Sequence, residues 1–117
     1  MKIIEELISK HQQKIIALTQ CRVMFIDLCH KCGYDAGRAT VNNRDGDKPL
    51  IRQIVMTYAI GLEFTLKASG EIFGGCSSTA YYARKTVSNI LSSPQKSRKK
   101  EILLYAIEKY NLNFSRL

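Results

Sequence analysis

The chain has 117 residues, a length that favours a single domain and leaves little room for a two-domain enzyme. Hydrophobic residues make up 45% of it and charged residues 24%, a balance typical of a folded globular chain and not of a disordered one. Lysine and arginine number 18 against 10 aspartates and glutamates, so the formal net charge is +8, which favours a polyanionic partner.

Hydropathy and the first residues predict the cellular location of the protein. No apolar run approaches the roughly 18 residues that a membrane-spanning helix needs, and residues 1–6 lack the pattern of a secretory signal. We therefore expect a cytoplasmic protein with no membrane partner. The four cysteines are expected to be reduced thiols in that compartment.

The first third of the chain has the spacing of an amphipathic helix. Apolar or partly apolar residues recur every three or four positions, at Ile4, Leu7, Ile8, His11, Ile15 and Leu18. The stripe continues at Cys21, Phe25, Leu28, Cys29 and Cys32 and ends before Gly33. Thr19-Gln20 could cap a new helix, so the pattern predicts either one long helix or a helix pair.

A change of composition and charge divides the chain in two. Residues 33–49 are rich in glycine, asparagine and aspartate, and Asn43-Arg44-Asp45-Gly46-Asp47 is typical of a turn. Seven basic and six acidic residues precede Lys48, whereas eleven basic and four acidic residues follow from it. We therefore expect an N-terminal helical arm and loop at 1–47 and a basic domain at 48–117, within one compact unit.

The basic part reads as four helices, and no strand-like alternation competes with the helical spacing. They are predicted at residues 50–63, at 66–73, from Ser77 or Ser78 to 91, and from Ser93-Pro94 onward. The predicted fold class is all-α.

The middle of this part has the layout of a helix-turn-helix. A short helix after Thr65 is followed by Gly74-Gly75 and by a helix that begins among serines. Five residues can share one outward arc of that last helix, namely Ser78, Thr79, Tyr82, Lys85 and Thr86. Small polar side chains at its tip would suit entry into a DNA groove about 12 Å wide. An ordinary helical hairpin with a polar face would give the same pattern.

Several short motifs follow one another between residues 51 and 87: Arg52-Gln53 with Met56, Thr65-Leu66-Lys67, Phe73-Gly74-Gly75, Ser78-Thr79, and Tyr82-Ala83 with Lys85. In this order they resemble the C-terminal DNA-binding domain of the bacterial replication initiator DnaA. The resemblance implies a Trp-repressor-like helical bundle that binds double-stranded DNA. It also implies a role in replication control.

The same resemblance implies particular contacts. Thr65 and the amides of Leu66 and Lys67 would hold a phosphate, and the region of Lys48 and Arg52 would reach an adjacent minor groove. The chain departs from the family at Gly75-Cys76-Ser77, where the family has Arg-Asp-His. Because serine cannot reproduce the paired hydrogen bonds of arginine to guanine, we expect modest sequence preference.

No Gly-x-x-x-x-Gly-Lys-Ser/Thr loop occurs, so we expect no nucleotide and no ATPase activity. Residues 74–100 contain six basic and no acidic residues, namely Arg84, Lys85, Lys96, Arg98, Lys99 and Lys100. This run predicts a strip that faces phosphates, with a solvated, charge-rich turn as the alternative.

Cysteine and histidine spacing gives weaker signals. Cys29-His30-Lys31-Cys32 could hold a metal or act in redox chemistry, but a closed zinc site needs four ligands and no second paired spacing completes it. Buried thiols explain Cys21, Cys29 and Cys32 more simply. Tyr81-Tyr82 and Ser77-Ser78-Thr79 have no histidine near them in sequence to act as a base. We expect no enzyme, metal or cofactor.

The sequence therefore predicts a protein that binds double-stranded DNA with weak or modest specificity, in replication control or transcriptional regulation. The alternative is an interaction module that keeps the fold and forms a homodimer through the N-terminal helix. The candidate DNA-contacting residues are Lys48, Arg52, Thr65, Leu66, Lys67, Cys76, Ser77, Ser78, Thr79, Tyr82, Arg84, Lys85, Lys96, Arg98, Lys99 and Lys100.

Overall fold

The computed structural model describes residues 2–39 and 46–112, and within these ranges it contains helices and no β-strand. The helices are α1 (Lys2–Lys31), α2 (Ala36–Ala39), α3 (Lys48–Gly61), α4 (Leu66–Glu71), α5 (Ser77–Ser92) and α6 (Arg98–Tyr110). The all-α prediction is confirmed for this part of the chain. The turn predicted at Asn43-Arg44-Asp45 lies outside the described residues. None of the described helices is both long enough and apolar enough to cross a membrane.

The N-terminal stripe forms one continuous helix, the first of the two arrangements that the sequence left open. With 30 residues, α1 is about 45 Å long at 1.5 Å per residue. Thr19 starts no new helix, because its hydroxyl donates to the carbonyl of Ile15 at 2.9 Å within the same helix. Gly33, with a φ of +81°, follows the end of the helix.

The core forms around α3, which packs against α1, α4, α5 and α6. Ile51, Ile54 and Val55 of α3 are fully buried in one cluster with Met24 and Leu28 of α1. The second half of α1 and the basic part of the chain therefore share a single core. Residues 2–16 of α1, by contrast, are all exposed.

Two segments differ from the prediction. The region predicted as a loop after Gly33 contains the short helix α2. The prediction that Ser93-Pro94 starts the last helix was wrong, because α6 begins at Arg98. Ser97 caps this helix by accepting a hydrogen bond from the amide of Lys100 at 3.2 Å, whereas Ser93 terminates α5.

A polar network fastens α6 to α1. The carboxylate of Asp27 accepts hydrogen bonds from the hydroxyls of Tyr110 at 2.6 Å and Tyr105 at 3.0 Å. It also pairs with the ammonium group of Lys109 at 3.0 Å. Partial burial alone raises the pKa of Asp27, but the hydrogen bonds from Tyr110, Lys109 and Tyr105 outweigh it and lower the pKa below its ordinary value.

This network predicts a loss of stability in acid. Because the folded-state pKa of Asp27 is below its unfolded value, the stabilisation is present above about pH 4 and is lost as the pH falls through the folded pKa. We expect Asp27→Asn to lower the free energy of unfolding by about 2 kcal/mol at neutral pH. Denaturant titrations of both proteins across pH should show this difference shrinking below about pH 4. A difference that persists unchanged at pH 2 would count against the network.

Candidate nucleic-acid interface

The predicted short helix, turn and longer helix are present as α4, residues 72–76 and α5. Thr65 caps α4, since its side-chain oxygen accepts a hydrogen bond from the amide of Ala68 at 3.0 Å. The hydroxyl oxygen of Thr65 is therefore already engaged in capping α4. Of the next two residues, Leu66 is half-buried and Lys67 is exposed. The two helices pack closely, and α5 also packs along α3.

The turn between these helices depends on glycines. Gly74 has a φ of +77°, a conformation that is costly for other residues. Its amide donates to the carbonyl of Glu71 at 3.1 Å, and the amide of Gly75 donates to Gly70 at 2.9 Å. A side chain on Gly75 would meet the side chain of Thr79 at 2.7–2.8 Å. The turn is therefore held by backbone hydrogen bonds and has little room for side chains.

The N-terminus of α5 is exposed. Cys76 is its N-cap residue, and the amide of Cys76 donates to the Oγ1 atom of Thr79 at 3.1 Å. The Sγ atom of Cys76 lies 3.6 Å from the same oxygen, and hydrogen bonds from the amides of Thr79 and Ser78 lower the pKa of the thiol. Ser77 and Ser78 are exposed beside it. The tip thus presents hydroxyls and a thiol, with the Thr79 oxygen already engaged in capping.

One face of α5 is exposed along its length. Ser78, Tyr82, Lys85 and Asn89 are spaced four, three and four residues apart, so they lie on one side of the helix. All four are exposed, and Tyr82 is 63% exposed. The opposite side is buried through Ala80, Ala83 and Val87. Asn89 was missed by the sequence analysis, although its spacing from Lys85 places it on this face.

The side chains of Arg84 and Lys85 lie on different sides of α5. Consecutive residues of an α-helix point about 100° apart, and Arg84 is half-buried whereas Lys85 is exposed. The guanidinium carbon of Arg84 lies 5.7 Å from the centre of the Tyr81 ring. Tyr81 in turn contacts Tyr82 edge to face, with ring centres 5.3 Å apart. Arg84 thus borders the exposed face of α5 and is not part of it.

The two candidate residues of α3, Lys48 and Arg52, lie in different surroundings. Arg52 lines a depression of about 590 Å³ together with Gly75, Thr79 and Tyr82, so the structure brings it close to the tip of α5. Burial lowers the pKa of the Arg52 guanidinium. Lys48 does not line this depression, and its ammonium group lies 5.2 Å from the centre of the Tyr34 ring.

Two cations of the predicted basic strip, Arg98 and Lys100, form contacts within the protein. Arg98 pairs with Asp47, with Nε and Oδ2 atoms 2.9 Å apart, and this joins the start of α6 to the start of α3. The ammonium group of Lys100 donates to the carbonyl of Ser93. Lys96 and Lys99 are exposed and form no ion pair within the described residues. They lie beyond the C-terminal end of α5, roughly 24 Å along the helix from its tip.

The thiols lie where the apolar stripe predicted. Cys21 and Cys29 are buried and Cys32 is half-buried, and all are free thiols. Burial raises the pKa of both Cys21 and Cys29 to about 11, which keeps them protonated at neutral pH. Within the described ranges, no three or more histidine, cysteine, aspartate or glutamate residues are grouped so that they could hold a metal. His11 is exposed on α1.

Comparison of the chain with protein-family models, with curated proteins and with solved structures found no match.

Proposed function

We propose that this protein binds double-stranded DNA and that the exposed face of α5 enters the major groove. The observation that carries the proposal is the alignment of Ser78, Tyr82, Lys85 and Asn89 on the side of α5 that the core leaves uncovered. A helix fits the major groove, and serine, asparagine and lysine offer hydrogen bonds to base edges and phosphates. Tyrosine adds a hydroxyl donor and an apolar ring.

Charge supports the same proposal. In the basic part of the chain, four exposed lysines form no ion pair within the described residues, namely Lys67, Lys85, Lys96 and Lys99. Cations that are not neutralised inside the protein are available for phosphates, and each contact releases counterions from DNA. Arg98 and Lys100 contribute less, because the structure engages them with Asp47 and Ser93.

We infer a Trp-repressor-like domain from the motifs that resemble the DnaA domain, which lie on α3, on α4 and the turn after it, and on α5. We infer a role in replication control or transcriptional regulation on that basis. The family's arginine position corresponds to Gly75, where a side chain would collide with Thr79. We therefore expect modest sequence preference, because Gly75 has no side chain that could form two hydrogen bonds to guanine.

Catalysis has less support than binding. The chain has two histidines, and both are in α1, whereas the hydroxyl cluster is at the tip of α5. A hydroxyl nucleophile needs an adjacent base. We therefore propose no enzymatic activity. Homodimerisation through α1, the second function suggested by the sequence, rests on a separate surface and is compatible with DNA binding.

The test is the affinity for a duplex of random sequence as a function of salt. If the four lysines each neutralise one phosphate, the plot of log affinity against log salt should have a slope of about −4, at −0.9 per phosphate. Fluorescence anisotropy between 50 and 200 mM salt measures it. A selection from randomised duplexes at both ends of this range then separates base reading from phosphate attraction. Absence of binding to any duplex at the lower salt concentration would refute the proposal.

A further inference from the structure

The first half of α1 extends from the core with its apolar side chains uncovered. We call residues 2–20 of α1 the projection. Seven large apolar side chains of the projection are between 46% and 72% exposed, namely Ile3, Ile4, Leu7, Ile8, Ile15, Ile16 and Leu18. Exposed apolar surface of this extent on a helix is typical of an interaction site.

The exposed residues form a seam. Ile4, Ile8, His11, Ile15 and Leu18 alternate four and three residues apart, the spacing with which two helices pack side by side in a coiled coil. The same series continues at Arg22 and Phe25, where α1 reaches the core. The seam therefore runs without a break from the free end of the helix to the body of the protein.

At that point the seam enters a groove. The groove has a volume of about 660 Å³ and is lined by Leu18, Arg22, Phe25 and Ile26 of α1 and by Ile72 and Phe73 after α4. Its lining is largely apolar apart from Thr19 and Arg22. The seam and the groove together comprise 15 residues, somewhat fewer than the roughly 20 per partner in a standard interface of about 800 Å² per side, so a pair formed on them has a small interface.

We propose that a second copy of this chain covers the seam and the groove, with the two projections antiparallel. A two-fold axis lets each copy offer the same surface, so that one association covers both apolar seams. In the antiparallel register that we propose, Ile8 lies opposite Leu18 of the second copy. His11 then lies opposite Ile15 of the second copy. The tip of each projection then reaches the groove of the other copy.

Charge favours this orientation. The register sets Ile4 opposite Arg22 of the second copy, so Glu5 comes within reach of that guanidinium. Neither Glu5 nor Arg22 forms an ion pair within the described part of its own chain. An antiparallel pair also holds the two strongly basic parts, which begin at Lys48, at opposite ends. A parallel pair would bring them side by side and set Glu5 against Glu5.

The test is the mass of the protein in solution, by sedimentation equilibrium without DNA. We expect a dimer, and we expect Ile8→Asp to raise the dimer dissociation constant at least tenfold. Ser9→Asp places the same new charge about 100° around the helix from Ile8, outside the seam, and should change the dissociation constant less than twofold. Circular dichroism checks that each variant keeps its helices. A monomer at 100 μM wild-type protein, or equal effects of both variants, would overturn the proposal.

A charge exchange tests the orientation. Arg22→Glu and Glu5→Arg should each raise the dissociation constant about fivefold, and the double variant should restore it to near the wild-type value. Additive losses in the double variant would exclude the antiparallel register. The measurement contains no nucleic acid, so failure of the proposed DNA binding and failure of this interface are distinguishable.

Discussion

Gly70→Ala is expected to destabilise the protein by about 3 kcal/mol, which corresponds to a fall in melting temperature of roughly 10 to 15 °C for a chain of this size. Gly70 is buried in α4, and a Cβ atom at this position would lie 1.9 Å from the carbonyl oxygen of Cys76. That oxygen accepts the first hydrogen bond of α5, from the amide of Ala80. The substitution would push the start of α5 away from α4.

Whether Gly70→Ala lowers or raises the stability distinguishes a close contact with α5 from a helix without one. In a helix without a close neighbour, alanine in place of glycine stabilises by about 1 kcal/mol. Thermal unfolding monitored by circular dichroism separates the two cases. An unchanged or higher melting temperature in Gly70→Ala would show that α4 and α5 do not approach as described.

Ser69→Ala is the matched control in the same helix. Ser69 is fully buried, and its hydroxyl has no hydrogen-bond partner within the described residues. Removing an unsatisfied hydroxyl should cost nothing, and we expect the melting temperature to stay the same or rise. A loss in Gly70→Ala together with no loss in Ser69→Ala would assign the effect to the close contact with Cys76.

The helices were predictable because apolar spacing follows the period of the helix wherever one side is covered. The exposure of the projection was not predictable, since Ile4 and Ile8 have the same spacing as buried residues would have. Periodicity locates a stripe, but it does not say what covers the stripe. Only the packed structure shows that the core begins at Cys21.

The exposed face of α5 was predictable in part. Ser78, Tyr82 and Lys85 follow from the helical period, and Asn89 could have been added by the same rule. The pairing of Arg98 with Asp47 could not be predicted, because the two residues are 51 positions apart and meet only through the packing of α6 near α3. The role of Gly70 likewise depends on a distance between two helices.

Lys85→Glu, on the exposed face of α5, should have the largest effect on DNA affinity. Lys85 is exposed between Tyr82 and Asn89, so reversal of its charge would replace the proposed phosphate contact with repulsion. We expect affinity for duplex DNA to fall at least tenfold, or about 1.4 kcal/mol. The log-log salt slope should decrease in magnitude by about 1. Stability should change little, because the side chain lies outside the core.

Tyr82→Ala and Asn89→Ala extend the test along the same face. Both side chains are exposed, so their removal should leave the melting temperature within a few degrees of the wild-type value. We expect affinity to fall several-fold in each. We also expect the salt slope to stay the same, since neither residue carries a charge. This separates contacts to bases or sugars from the neutralisation of phosphates.

Lys10→Glu is the control for net charge. It makes the same change of charge at an exposed residue in the middle of the projection, outside the seam and about 30 Å along α1 from its C-terminus. The most direct measurement is therefore the duplex affinity of Lys85→Glu beside that of Lys10→Glu at one salt concentration. We expect a loss of at least tenfold in the first variant and less than twofold in the second. Equal losses would mean that DNA responds to net charge alone, and would contradict a reading face on α5.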